Sequence, residues 1–379
     1  MPGGGAGAGG AVGAEAAGGE AAAGRFRAAA GAVRWAVRLR GRVRWSIVHV
    51  PLRRRLETFF TALWLFMIPV GTVTIWGIFL VLMLWKITAV PAALYLAWIF
   101  LIDDSASTGR RVPYLRRAFI WGYVRDYFPI ELRRTAELDP ARNYVFGYHP
   151  HGVISMGALV NFSSDATGFA QLFPGIECHV LTLESNFKTP LLREWVLHQG
   201  ICAAGLQACL TLLGKGPGAS ILLAVGGAAE ALDARPGSLT LTLKKRKGFV
   251  RVALRAGASL VPVLSFGENE LWGSLPNPEG SALRRMQNSM KKLMKFTFPA
   301  VYGRGLFNYD FGWMPHRRRI VSVVGAPIHI SAPFEGDLYS GEGARRVDEV
   351  HGQYIAALQR VFQENKAEFG GQIRDLVIK

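Results

Sequence analysis

Asn143-Tyr144-Val145-Phe146-Gly147-Tyr148-His149-Pro150-His151-Gly152 runs from apolar, strand-forming residues into two imidazoles and then a glycine. The first four residues predict a buried strand, and three further apolar runs at 219–225, 259–266 and 320–324 share its length and character. Continuous apolar strands suit a sheet covered on both faces. Amphipathic stretches lie between and after them. The clearest, 345–369, places Val347, Val350, Tyr354, Leu358, Val361 and Phe362 on one stripe. This alternation predicts an α/β domain over 105–379.

Outward from that domain, residues 59–102 hold 44 residues with a single charge, Lys86. One straight helix of that length would reach about 66 Å, twice the hydrocarbon core of a bilayer. Arg53, Arg54 and Arg55 precede the run, and Arg110, Arg111, Arg116 and Arg117 follow it. Basic flanks on both sides predict an even number of crossings. The expected element is therefore a transmembrane helical hairpin within 56–104, turning between Pro69-Val70-Gly71 and Lys86, with both ends on the cytosolic side. Two packed soluble helices are the alternative. Residues 1–55 are expected to form a disordered, then basic, N-terminal segment, since 1–24 are Ala/Gly-rich and ten arginines fall between Arg25 and Arg55. No signal peptide is expected, because no basic residue occurs in the first 24 positions.

The formal charge of +17 is clustered: at 25–55, at Lys244-Lys245-Arg246-Lys247 with Arg251, and at Arg317-Arg318-Arg319. Half of the residues are hydrophobic and the mean hydropathy is +0.20, values between those of soluble proteins and transporters. Three cysteines without C-x-x-C spacing indicate neither a disulfide framework nor a zinc knuckle. There is no G-x-S-x-G, H-E-x-x-H or G-x-x-x-x-G-K-[ST], and no G-x-G-x-x-G after a strand, so a serine hydrolase, zincin or P-loop enzyme is disfavoured.

His149 or His151 could act as a general base, since imidazole titrates near neutral pH and stands where α/β sheets hold their sites. Pro150 fixes its own φ and biases His149 toward extended backbone. A metal half-site, with His179 as third ligand, and ordinary loop histidines are open alternatives. In Val225-Gly226-Gly227-Ala228-Ala229-Glu230, the two glycines could present amides to an oxyanion and Glu230 could orient a histidine. Lys244, Lys245, Arg246, Lys247 and Arg251 could meet phosphates, or could form a solvated basic face. Asn161-Phe162-Ser163 is a glycosylation sequon.

In their order along the chain, Tyr127-Phe128-Pro129, His149-Pro150-His151-Gly152, Phe173-Pro174-Gly175, Gly226-Gly227-Ala228-Ala229-Glu230, Arg246-Lys247-Gly248-Phe249, Phe266-Gly267-Glu268-Asn269, Gly303-Arg304-Gly305 and Val324-Gly325-x-Pro327 resemble the type 2 diacylglycerol acyltransferase family. That family also holds monoacylglycerol and wax-alcohol acyltransferases. The resemblance runs from about Leu56 to the C-terminus. Phe79-Leu80-Val81-Leu82 looks like the start of the family's neutral-lipid motif, but Lys86 stands where its terminal Asn belongs.

The resemblance implies a glycerolipid-acyltransferase-like sheet with flanking helices, attached to the endoplasmic reticulum membrane with its catalytic domain in the cytosol. It implies acyl-CoA as co-substrate, mono- and diacylglycerol as acceptors, and no cofactor, metal or nucleic acid; lipid-droplet contact and self-association are left open. Plant members carry Glu-Pro-His-Ser at the histidine motif, so His151 is the shared histidine and the expected base, with His149 beside it. Gly152, Gly226 and Gly227 are the expected oxyanion and loop positions. Tyr127, Phe128, Pro129, Pro150, Glu268 and Asn269 are motif residues. Wider glycerolipid acyltransferases place Asp five positions after their histidine, but Ile154 and Met156 stand there, leaving Glu230 as the expected orienting carboxylate. Residues 135–140, 277–281 and 308–312 look more like the monoacylglycerol members. A non-catalytic lipid-binding hairpin protein is the rival reading.

Overall fold

A computed structural model of the chain describes residues 43–46, 50–278, 280–294, 297 and 299–379. The disordered segment expected at 1–24 lies outside the described residues. Eleven strands occur among the described residues: β1 Ile130–Arg134, β2 Tyr144–His149, β3 Glu177–Thr182, β4 Ile201–Ala203, β5 Ala219–Ala224, β6 Leu239–Leu241, β7 Ser259–Phe266, β8 Gly273–Ser274, β9 Val301–Tyr302, β10 Ile320–Val324 and β11 Leu376–Ile378. Seven of them form one sheet in the order β1-β10-β7-β2-β5-β3-β4. Every neighbouring pair in it is parallel except β10 with β7. Strands β2, β7 and β10 are buried along their whole length, as expected for runs covered on both faces.

Among the helices that carry the apolar run or flank the sheet are α1 Leu52–Met67, α2 Pro69–Met83, α3 Lys86–Leu101, α4 Met156–Ser163, α5 Gly227–Asp233, α6 Gly248–Ala256 and α7 Gly341–Phe369. One face of the sheet carries α4 over a cluster of aromatic residues that includes Tyr144, Phe146 and Tyr148. The opposite face carries α6 and α7 over Val145, Leu260 and Leu264. The period of two along β2 thus divides its side chains between two cores. All six residues of the predicted stripe on α7 are buried.

The apolar run is divided into three helices. Pro69 opens α2 at a 59° bend from α1, and a turn at Leu84-Trp85 brings α3 back along α2, inside the expected interval. Proline suits a first helical position because its missing N–H would be unpaired there anyway. Helix α1 buries Glu57, Thr58, Thr61 and Ala62 against the α/β unit. No single described helix is long and apolar enough to cross a membrane; α1 and α2 reach that length only as a bent pair. Val73, Leu80, Ile87, Val90, Leu94 and Leu101 are exposed on α2 and α3.

Candidate active site

Strand β2 ends at His149, whose peptide bond to Pro150 is cis, and the loop 150–155 leads into α4 at the carboxyl edge of the parallel strands. Open α/β sheets bind ligands at this edge. His149 never reaches it. Its ring is fully buried beneath α7, with Nε2 3.0 Å from the Tyr354 hydroxyl. That hydroxyl donates to the Gly147 carbonyl at 3.0 Å, so Nε2 must carry the proton and donate to Tyr354. Gly147 makes the contact feasible, since a Cβ there would lie 2.0 Å from the Tyr354 oxygen. Burial pushes the His149 pKa down to about 3. His149, expected beside the base, packs here as a neutral ring beneath α7.

His151 sits at the edge itself, half-buried. Its Nδ1 lies 3.1 Å from the Gly152 carbonyl, which can only accept, so Nδ1 holds the ring proton. The lone pair is then on Nε2, which has no hydrogen-bond partner among the described residues. Burial lowers the pKa below the ordinary histidine value, which keeps the ring neutral at pH 7. This is the protonation state a base needs.

Two buried carboxylates clamp the loop. Glu230 on α5 accepts from the His151 backbone N–H at 2.5 Å and from the Thr242 N–H at 2.8 Å. It therefore holds the loop through the main chain, and its carboxylate makes no contact with the imidazole among the described residues. Glu268 accepts from the N–H groups of Met156 and Gly157, at 2.5 and 3.0 Å, and from the Tyr148 hydroxyl at 3.0 Å. It caps the first turn of α4 with an acceptor that the helix lacks. Burial pushes both carboxyls up to about 7 despite these donors. Two of the three expected glycines fit around them: a Cβ on Gly152 would lie 2.6 Å from Glu268 Cγ, and one on Gly226 2.2 Å from a Glu230 oxygen. Gly227 has φ +59° at the start of α5. Ser155, which the sequence did not single out, donates its N–H and hydroxyl to the His151 carbonyl at 2.9 and 2.8 Å.

The basic stretch follows Thr242 directly, so the exposed turn Lys244-Lys245-Arg246 begins two residues, at most about 7 Å of extended chain, from the Glu230 clamp. Lys247 pairs with Asp348, and Arg251 lies 4.4 Å over the Tyr339 ring. Only the first three of the five expected phosphate contacts are thus turned to solvent.

The remaining motif residues are structural. Tyr127 donates to the Pro315 carbonyl at 2.7 Å, Phe128 is fully buried, and the Pro129 carbonyl accepts from Ile320 at 3.3 Å, which ties the start of β1 to β10. Asn269 donates to the Ser238 carbonyl at 2.9 Å. His179 lies elsewhere, on β3, with Nδ1 3.1 Å from the Gly200 carbonyl, and no three His, Cys, Asp or Glu side chains converge as metal ligands among the described residues. Asn161 is fully buried on α4 and donates to Ser322 at 2.9 Å, so the folded chain offers no glycan acceptor there. Residues 135–140 lie at the opposite end of the sheet, where Pro140 touches Gly175 and Gly218.

A diacylglycerol acyltransferase family model matches residues 78–379. The chain belongs to that family. Diacylglycerol O-acyltransferase 2 of Dictyostelium discoideum is 45% identical over 325 residues, 86% of this chain and 96% of that protein. 2-acylglycerol O-acyltransferase 1 of Bos taurus is 38% identical over 331 residues, 87% of this chain and 97% of that protein. Among solved structures, the 1-acyl-sn-glycerophosphate acyltransferase PlsC of Thermotoga maritima covers 84% of this chain and 99% of its own at 14% identity and a TM-score of 0.36, too loose a likeness to carry a fold assignment. The chain is an O-acyltransferase, and three of the motifs that resemble the family, at 149–152, 226–230 and 266–269, build and clamp the His151 loop.

Proposed function

We propose that the chain moves a fatty acyl group from coenzyme A directly to the free hydroxyl of a partial glyceride, with His151 as the base. The observation that carries this is the Nδ1 contact to the Gly152 carbonyl, which leaves a lone pair on Nε2 of a half-buried, neutral ring. The acceptor oxygen attacks the thioester carbonyl as Nε2 takes its proton. The new C–O bond forms, the C–S bond breaks, and the proton passes to the departing thiolate. Amides at the Gly226-Gly227 turn are the proposed oxyanion donors, and Lys244, Lys245 and Arg246 the proposed phosphate contacts. No covalent enzyme intermediate is needed.

The preferred acceptor is 2-monoacylglycerol, with diacylglycerol also used. This reading rests on the monoacylglycerol-like segments, of which 135–140 lie at the end of the sheet away from His151. A second reading, diacylglycerol as the preferred acceptor, is favoured by the higher identity of the relative named for it, 45% against 38%. Hydrophobic pockets discriminate poorly by size alone, so both activities are expected in one enzyme. The exposed apolar surface of α2 and α3 supports attachment to a membrane, proposed to be that of the endoplasmic reticulum.

Microsomes containing the protein and labelled oleoyl-CoA, offered 2-monoacylglycerol, diacylglycerol or a long-chain alcohol separately, test the reading. A higher specificity constant for monoacylglycerol is expected. A higher one for diacylglycerol selects the second reading, and acylation of none of them contradicts both.

A further inference from the structure

Two sequence motifs, Tyr127-Phe128-Pro129 and Gly303-Arg304-Gly305, take no part in the proposed chemistry, yet both reach one cleft far along the chain from His151. Residues 43–46 form a strap against the 307–310 loop. Arg44 forks onto Asp310 at 2.9 and 2.6 Å, and the Ser46 N–H donates to the Phe307 carbonyl at 2.7 Å. Between this strap, the start of α1 and the segment after β9 lies a cleft lined by Ser46, Arg54, Arg55, Arg304, Tyr309 and Arg317.

Its charge is one-sided. Arg317 lies 4.2 Å over the Tyr127 ring, donates to the Thr58 hydroxyl at 3.0 Å and pairs with Glu57. Glu57 is also 3.8 Å from Arg53, so its one negative charge is shared. Arg304, only 6% exposed, stacks 4.7 Å over Tyr309 and has no carboxylate within ion-pair distance among the described residues. Arg54 has none either. The Ser46 hydroxyl, 3% exposed, has no hydrogen-bond partner among the described residues. A buried cation without a counter-charge and a buried hydroxyl without a partner are both costly. A single ligand relieves both: an oxyanion, which accepts from guanidinium forks and hydroxyls alike.

The cavity is small, about 20 Å³, so an anion would sit at its mouth. That mouth stands at the first turns of α1, where the apolar run begins. A surface that meets a bilayer through α2 and α3 would hold this cleft near the headgroups.

We propose that this cleft binds a phosphate-bearing group, and that on a membrane the group is a phospholipid headgroup. The membrane half rests on the attachment proposed for α2 and α3; the phosphate half does not.

The test uses the full chain in neutral detergent at physiological salt, which screens non-specific attraction. Binding of dihexanoyl phosphatidic acid, dihexanoyl phosphatidylcholine, inorganic phosphate and coenzyme A is measured for the parent and for Arg54→Gln, Ser46→Asp and Arg304→Gln. Phosphatidic acid is expected to bind, and Arg54→Gln and Ser46→Asp to weaken it about tenfold or more, the loss expected for a charged hydrogen bond. The unfolding midpoint without ligand should not move for Arg54→Gln, whose side chain is exposed, so this variant carries the test if Arg304→Gln does not fold. Inorganic phosphate or coenzyme A binding equally well, with the same losses, supports the phosphate site and overturns the headgroup as its source. No binding of any phosphate compound, or equal binding by parent and variants, overturns the proposal.

Discussion

His149 and His151 stand two residues apart and meet opposite surroundings. The first points into the core beneath α7, where Tyr354, 205 residues away in sequence, claims its ring proton. The second is carried by the loop to the sheet edge, where its own chain, through the Gly152 carbonyl, fixes the tautomer. Identical side chains thus become a packing element and, in the proposed mechanism, a base because a strand ends between them. Stability should depend on the surroundings of the first, and turnover on the second.

The largest stability effect is expected where the loop is clamped. Glu268→Ala leaves two α4 amides and the Tyr148 hydroxyl without their buried acceptor, at a cost on the order of 3 to 5 kcal/mol. Denaturant unfolding should show it, and Glu268→Gln should recover part of the loss.

Beneath α7 a smaller loss is expected. Tyr354→Phe leaves the Gly147 carbonyl and the His149 N–H unpaired, a cost of about 2 kcal/mol. Because this change never reaches the edge, kcat at a temperature where the variant is folded should stay within a few-fold of the parent. A large loss of kcat in folded protein would erase the distinction between the two histidines.

The smallest effects separate the two regions by pH. Glu230 and Glu268 titrate near 7 in the fold against an ordinary value of 4.5, so their contribution to stability is present below pH 4.5 and lost as pH rises to about 7. His149 titrates near 3 against 6.5, so its contribution is present above pH 6.5 and lost as pH falls toward 3. The trends oppose each other between pH 4.5 and 6.5. Unfolding midpoints across pH 5 to 8 should fall less steeply toward the alkaline end in Glu268→Gln than in the parent.

Much of this was legible in the sequence where one kind of residue dominates. Strands β7 and β10 fall where continuous apolar residues predict them, and α7 follows its stripe. Strand β2 continues past the predicted Phe146 because Gly147 and His149 are accepted there by a tyrosine on a distant helix. Strands β1 and β3 escaped because Glu131, Arg133, Glu177 and His179 interrupt them, and β4 has only three residues. In the site, the sequence points to Glu230 as a carboxylate for the histidine, and a sequence does not reveal that it grips the main chain of the loop. Glu268 was read as a motif residue, and its capping of α4 depends on a turn that only the fold brings to it. Tyr354 was visible only as one more residue on a buried stripe.

In the proposed mechanism His151, and not His149, takes the acceptor's proton. Purified His151→Ala and His149→Ala compared with the parent at saturating oleoyl-CoA and monoacylglycerol test it most directly. His151→Ala is expected to lower kcat by at least about 10²-fold, with acyl-CoA affinity and unfolding midpoint retained, whereas His149→Ala should lower the midpoint and leave folded enzyme within about tenfold of parental kcat. Equal losses of kcat from both substitutions, or near-parental turnover by His151→Ala, would contradict it.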